Sequence, residues 1–165
     1  MKRHSAFLCA ALAGRIVAQD LGTGPLLLND RVLRDSTAYV MEVLHSMPGV
    51  SLYAAGPHYR IGDDPSYADR AWNDTAWAVW EDPYGMYFGP VGTYWVRFHL
   101  DVDPDMDTPV MLALTGHGTL EAYHNGRLII HSGQWDAPQA RGIYHARSSA
   151  LLPLARDGRP EVIAL

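Results

Sequence analysis

The stretch that decides the fold is LEAYHNGRLII, residues 120–130. Asn125-Gly126, at its centre, is the favoured pair for a two-residue type I′ turn, because both central residues of that turn need a positive φ. Short runs rich in apolar side chains flank the pair on both sides. The pattern predicts a β-hairpin whose strands are Leu120–His124 and Arg127–Ile130.

A second stretch, Tyr94–Leu100, alternates between two faces of a predicted strand. One face carries Tyr94, Val96, Phe98 and Leu100, and the other carries Trp95, Arg97 and His99. Other apolar runs predict strands at 26–28, 50–54, 110–115, 143–146, 151–154 and 162–165. Turns are expected at Pro48-Gly49 and at Gly116-His117-Gly118. Residues 35–47 fit either a helix capped by Ser36 or a strand, and their β-branched and aromatic content slightly favours strands.

This arrangement of many short strands predicts an all-β fold. Turn residues recur about every 8–12 positions, and no alternation of strands and helices is visible. We therefore expect an antiparallel β-sandwich of the jelly-roll type.

The N-terminus has the composition of a secretory signal peptide. Lys2-Arg3-His4 is basic, residues 6–14 are mostly apolar, and Ala18 places a small residue before Gln19. We expect residues 1–18 to be removed on export to the periplasm or another extracytoplasmic space. Residues 19–55 are then an N-terminal extension or the first strands, and residues 56–165 are the sandwich domain. The single cysteine, Cys9, lies in the leader, so the mature chain would have no disulfide and no thiol nucleophile.

Charge and motifs give no support for nucleic-acid binding or catalysis. The formal net charge is −5, and the 13 basic residues are scattered along the chain. The sequence contains no G-x-S-x-G, H-x-H or H-E-x-x-H motif and no glycine-rich phosphate loop. The carboxylates of Asp101–Asp107 lack the glycine and glutamate of an EF-hand, and they predict a solvated acidic turn. We expect a non-enzyme without cofactor, metal site or nucleic-acid partner.

Trp95, Arg97 and Trp135 are the candidate ligand-binding residues. Trp95 and Arg97 share one face of a strand, and an aromatic ring beside a guanidinium suits a sugar or a carboxylate. The alternative is structural: Trp95 would pack under the Trp-rich loop, and Arg97 would pair with Asp63 or Asp74. Trp135 lies in a predicted loop, where aromatic side chains either contact ligands or cover the end of the core.

Four segments, in this order, resemble the galactose-binding-like jelly-roll family. They are GDDP to NDTAW at 62–77, GTYWVRF at 92–98, LEAYHNGR at 120–127 followed by Ser132-Gly133, and RPEVIAL at 159–165. Val96 stands where the family strand usually has Tyr, and Pro160-Glu161 replaces its Gly-x-Asn. The resemblance covers residues 56–165, about two-thirds of the chain. It implies a sandwich that binds or positions a ligand, and it does not imply catalysis.

The resemblance implies two main settings. The first is the extracytoplasmic sensory domain of a bacterial signal-transduction protein, which would bind a small molecule or a carbohydrate. The alternative is a carbohydrate-binding accessory domain of a glycoside hydrolase or esterase, and a free-standing secreted protein is a third reading. Because the apolar run 162–165 stops abruptly, we expect a domain truncated at its C-terminus. Contact with a membrane is expected only through segments beyond Leu165.

Overall fold

The computed structural model describes residues 6–11, 25–35, 37–39, 46–51, 56–80, 93–133 and 143–165. In chain order its elements are β1 (Ala6–Ala11), β2 (Leu26–Leu28), α1 (Asp30–Asp35), β3 (Thr37–Tyr39), β4 (Ser46–Ser51), β5 (His58–Ile61), a 3₁₀ helix (Pro65–Ala68), β6 (Ala78–Val79), β7 (Tyr94–Val102), β8 (Val110–Gly118), β9 (Leu120–His124), β10 (Arg127–Ser132), β11 (Ile143–Leu151) and β12 (Glu161–Ala164). The strands form two sheets, which face each other across a shared core.

The two sheets differ in strand direction. The first has the order β11-β8-β1-β4-β3, and the second has the order β10-β9-β12-β7-β5-β6. β1 runs parallel to both β4 and β8, and β2 runs parallel to the end of β7. The other strand pairs are antiparallel. The predicted all-β sandwich is confirmed, with parallel pairs at β1 and β2 that the sequence pattern did not predict.

Apolar side chains from both sheets meet in one core. The buried members are Leu28, Trp80, Val96, Phe98, Leu100, Met106, Val110, Leu112, Leu114, Ala122, Ile130, Leu152 and Ile163. Phe98 and Leu100 of β7 have no exposed surface. Their neighbours Trp95 and Arg97 lie on the opposite face of the strand, which confirms the predicted alternation.

The predicted hairpin is confirmed as β9 and β10. Asn125 has φ 50° and Gly126 has φ 86°, the positive values that a type I′ turn requires. The turn is also tied to β12: the Asn125 amide donates to the Val162 carbonyl at 2.9 Å, and the Val162 amide donates to Asn125 Oδ1 at 2.9 Å. The hairpin therefore anchors the strand that lies between β9 and β7.

Two of the predicted turns are wrong. β4 runs through Pro48-Gly49, because this segment pairs with β3 on one side and with β1 on the other. β8 continues through Gly116-His117-Gly118, because β11 pairs with it as far as Gly118. In both cases the pairing with neighbouring strands overrides the local turn preference.

The described residues of the segment 35–47 are mostly strand, as the sequence slightly favoured. The short helix α1 ends at Asp35, β3 covers Thr37–Tyr39, and residues 40–45 lie outside the described residues. Asn29 caps α1, since its side chain accepts a hydrogen bond from the Val32 amide at 2.7 Å. The prediction was therefore right for β3 and missed the helical turn before it.

The predicted signal peptide overlaps β1, which pairs with β4 and β8. Cleavage and export stay predictions. Within the described part of the chain, no helix is long and apolar enough to cross a membrane.

Candidate functional site

The outer face of the second sheet carries a row of polar and aromatic side chains. β7 contributes Trp95, Arg97 and His99 at alternate positions. On the neighbouring strand β5, His58 lies opposite Arg97 and Arg60 lies opposite Trp95. Because directly paired residues point to the same side of a sheet, these side chains form one surface.

The loop between β5 and β6 folds back over this surface. It begins with the 3₁₀ helix, where the Asp64 side chain accepts from the Ser66 amide at 3.0 Å. Two similar turns follow, in which Asp69 Oδ1 accepts from the Ala71 amide at 2.8 Å and Asn73 Oδ1 accepts from the Thr75 amide at 3.0 Å. These local bonds favour turns over helix or strand. They bring the loop carbonyls and the Asp74 carboxylate onto β7.

Arg97 is fully buried beneath the loop. Its Nε donates to Asp74 Oδ2 at 3.0 Å, and its Nη2 donates to the Trp72 carbonyl at 3.2 Å. Its Nη1 donates to the carbonyls of Tyr67 and Asp69. A buried guanidinium is tolerated when its charge is paired and its donors find acceptors, and both conditions hold here.

Asp74 is the centre of a charged cluster. Its Oδ2 atom lies 2.8 Å from His99 Nε2 and 3.6 Å from His58 Nδ1, in addition to its bond with Arg97. Burial raises the pKa of the Asp74 carboxyl, but the hydrogen bond and charge of His99 and the charge of Arg97 outweigh burial and lower the pKa to about 2. Asp74 is therefore ionised at neutral pH.

Aromatic side chains of the loop and of strands β7 and β9 form a second core. Its rings are Tyr67, Trp72, Trp77, Trp95 and Tyr123. Tyr67 lies at the centre, with ring centroids 5.0 Å from Trp72, 5.0 Å from Trp77 and 6.0 Å from Trp95. Such tilted and edge-to-face contacts add to the gain from burial. The cluster fixes the loop on the sheet and so fixes the position of Asp74.

The rim of the aromatic core is open to solvent at Tyr123. This half-buried ring lies 5.5 Å from that of Trp95, and its hydroxyl donates to Glu121 Oε2. Glu121 Oε1 is 2.9 Å from Nδ1 of His131, whose side chain is 50% exposed. Burial, the hydrogen bond and charge of Glu121 and the charge of Asp63 raise the pKa of Tyr123 to about 12. We call Glu121, Tyr123 and His131 the rim.

The structure places two of the three sequence-predicted site residues together. Trp95 and Arg97 lie in adjoining parts of the outer face, and Arg97 pairs with Asp74 as the structural alternative predicted. Their role in ligand binding stays a prediction. Trp135 lies outside the described residues.

Sequence reasoning missed the group His58, Asp74 and His99. One ligand-type atom from each residue lies within 4.8 Å of the others. The alternation of β7 already placed His99 beside Arg97, and Asp74 was an expected partner of Arg97. His58 had no such signal, because only the pairing of β5 with β7 brings it to this face.

No protein-family model matches the chain, and no curated protein matches it. Among solved structures, it is similar to Bacteroides uniformis β-glucuronidase 2 covalently bound to cyclophellitol-6-carboxylate aziridine. That match has a TM-score of 0.51 at 21% identity, over 66% of this chain and 13% of the other. A second match, Bacteroides uniformis β-glucuronidase, has a TM-score of 0.50 at 21% identity, over the same shares.

The likeness establishes the fold. This chain has a β-sandwich like one small part of these β-glucuronidases. It spans about an eighth of their length.

Proposed function

We propose that this β-sandwich is a non-catalytic, carbohydrate-binding accessory domain that acts outside the cytoplasm as part of a longer protein. The observation that carries the proposal is the likeness of 66% of the chain to 13% of a β-glucuronidase chain. The matched share is one small part of such an enzyme, which supports an accessory role rather than that of the whole enzyme. Of the two settings that the resemblance implied, this likeness favours the accessory domain over the sensor.

The outer face supports the proposal, because its buried side chains hold the loop and its accessible side chains are available to a ligand. Arg97 and Trp95 are buried and hold the loop in place. The rim is accessible, and it combines an aromatic ring with a carboxylate and an imidazole. A ring flanked by hydrogen-bonding groups suits a sugar, which presents an apolar face and a ring of hydroxyls. We therefore place carbohydrate binding at Tyr123, with Glu121 and His131 as hydrogen-bonding partners.

The test is binding of the full chain to soluble polysaccharides and to uronic-acid oligosaccharides, measured by affinity electrophoresis and isothermal titration calorimetry. We expect Tyr123→Ala to weaken binding by about tenfold or more, equivalent to roughly 1.4 kcal/mol. Tyr123→Phe is the matched control, because it keeps the ring and removes only the hydroxyl. Binding that is equal in wild type and Tyr123→Ala would place the carbohydrate elsewhere.

Catalysis and the sensory setting are tested separately. We expect no hydrolysis of nitrophenyl glycosides above the blank, and a turnover that follows the protein through purification would contradict the proposal. Extension of the reading frame past residue 165 separates the settings. A hydrolase domain there supports the accessory role, and a series of apolar segments long enough to span a membrane supports the sensor.

A further inference from the structure

The cluster of His58, Asp74 and His99 contains a nitrogen that makes no hydrogen bond within the part of the chain that the structure describes. His58 Nδ1 is buried and, like the indole Nε1 atoms of Trp72, Trp77 and Trp95, has no hydrogen-bond partner among the described residues. It lies 3.6 Å from Asp74 Oδ2, and His99 Nε2 lies 2.8 Å from the same oxygen. Buried polar atoms are nearly always satisfied, so an orphaned nitrogen aimed at a carboxylate points to a missing partner between them.

The geometry points to a divalent transition-metal site, best matched to Zn²⁺, with His58 Nδ1, Asp74 Oδ2 and His99 Nε2 as ligands. Zinc lies about 2.0–2.2 Å from imidazole nitrogen and carboxylate oxygen, so tetrahedral ligand atoms are about 3.3 Å apart. The two distances to Asp74 Oδ2, 2.8 and 3.6 Å, lie on either side of that value. Metal binding would displace the proton that lies between His99 Nε2 and Asp74 Oδ2, and it would bring the two imidazole nitrogens, which lie within 4.8 Å of each other, to about that separation.

The three ligands are held by elements that do not depend on the metal. His58 and His99 lie on adjacent, paired strands. Asp74 is fixed by Arg97, by the aromatic core and by a turn in which the Trp77 amide donates to the Asp74 carbonyl at 2.9 Å. The His58 and His99 side chains are 24% and 27% exposed. The backbone positions of the three ligands are therefore set before a metal binds.

Arg97 limits the affinity of this site without blocking it. Its Nε donates to the oxygen that would bind the metal, so Asp74 Oδ2 would bridge a guanidinium and a cation. Carboxylate ligands in metal sites commonly accept such hydrogen bonds. Three loop carbonyls also hold Arg97, so it need not move when the metal binds. Because its positive charge opposes that of the metal, we expect a dissociation constant on the order of micromolar rather than nanomolar.

The experiment titrates ZnCl₂ into the full chain, prepared without a histidine tag and stripped with EDTA. We expect one bound ion per chain by calorimetry and a higher melting temperature that EDTA reverses. His58→Gln and His99→Gln should each weaken binding at least about tenfold. His131→Gln is the matched control, since His131 also contacts a carboxylate but lies on the rim, and it should leave the affinity unchanged.

Several results would overturn the site. One is a folded wild-type chain that binds no Zn²⁺; another is Zn²⁺ binding of equal strength in the wild type and in both histidine variants. Co²⁺ provides an independent readout, because we expect the visible absorption of tetrahedral cobalt in the wild type and its loss in His58→Gln. Circular dichroism and the urea midpoint confirm that each variant is folded before its affinity is compared. The site stands apart from carbohydrate binding, since Tyr123→Ala should leave Zn²⁺ affinity intact.

Discussion

Two buried carboxylates of this domain, Asp74 and Glu161, differ in how their hydrogen-bond partners are arranged. Asp74 lies on the outer face under the loop, with Arg97 and two histidines around one of its oxygens. Glu161 lies at one end of β12 and is 1% exposed. Each is surrounded by donors, so burial alone does not distinguish them.

The difference lies in how completely the donors are used. Glu161 Oε1 accepts from the amides of Ala155 and Arg156 at 2.6 and 3.3 Å. Its Oε2 accepts from Asn125 Nδ2 and lies 2.9 Å from His124 Nε2. Around Asp74, in contrast, His58 Nδ1 accepts or donates no hydrogen bond among the described residues, and the side chains of both histidines are partly exposed. The cluster around Glu161, which we call the closed cluster, holds strands together. The cluster around Asp74 can also bind a ligand.

The largest expected effect is at Arg97. Arg97→Met leaves the Asp74 carboxylate buried without its guanidinium partner, and three loop carbonyls each lose one donor. We expect the free energy of unfolding to fall by about 3–5 kcal/mol, measured by urea denaturation. Arg127→Met, on the exposed hairpin, is the control. A loss below about 1 kcal/mol would mean that the cluster of Arg97 with Asp74 does not stabilise the fold.

The second-largest expected loss of stability is at Glu161, in the closed cluster. Glu161→Ala leaves two backbone amides and the side chains of His124 and Asn125 without their acceptor. We expect a loss of about 2–3 kcal/mol in the same assay. Glu121→Ala removes a half-buried carboxylate from the rim and should cost less. If Glu161→Ala and Glu121→Ala lower the free energy of unfolding equally, the complete hydrogen bonding of Glu161 adds no stability beyond that of a half-buried carboxylate.

The pH dependence of stability tests the cluster around Glu161 through its histidine, His124. Burial lowers the pKa of His124, the charge of Arg70 acts in the same direction, and Glu161 opposes them. The unfolded chain then takes up a proton near the ordinary value of 6.5 while the folded chain does not. The free energy of unfolding should therefore fall as the pH drops below about 6.5. Urea midpoints between about pH 7.5 and pH 5 should fall more steeply in the wild type than in His124→Gln. Equal slopes would contradict this assignment.

The smallest expected effect is at His58 without metal. Its Nδ1 has no hydrogen-bond partner in the ranges that the structure describes, so His58→Gln should change the free energy of unfolding by no more than about 0.5 kcal/mol. Measured by urea denaturation in EDTA, a near-neutral result is also what makes this variant a fair test of Zn²⁺ binding. A loss comparable to that of Glu161→Ala would instead show that His58 is a structural partner of Asp74.

Local patterns were sufficient for the elements whose pairing is local. Asn125-Gly126 predicted the hairpin, because the φ requirement of its turn acts within four residues. The alternation in β7 predicted both faces, because side-chain direction in a strand depends only on position. The alternation in β7 placed Arg97 on the outer face, and the sequence left its partner open between Asp63 and Asp74, of which the structure has Asp74.

Long-range pairing explains what could not be foreseen. His58 reaches the cluster only because β5 lies beside β7 in a particular register. Asn125 does more than form the turn, since its side chain also bonds to β12, and the hairpin sequence does not contain that information. Pro48-Gly49 and Gly116–Gly118 were misread as turns for the same reason: the strands that pair with them are distant in sequence.

The central place of β12 has a consequence for the order of folding. β9 and β10 can form their hairpin within about 1–10 μs, because His124 and Arg127 are close in sequence. β12 must instead pair with both β9 and β7. Its Glu161 lies opposite Leu100 of β7, which is far away along the chain. Closing that long loop costs more chain entropy and slows the step. Until it closes, β7 and β9 each keep a bare edge, so a nascent chain paused before residue 161 is more exposed to edge-to-edge aggregation than the folded chain.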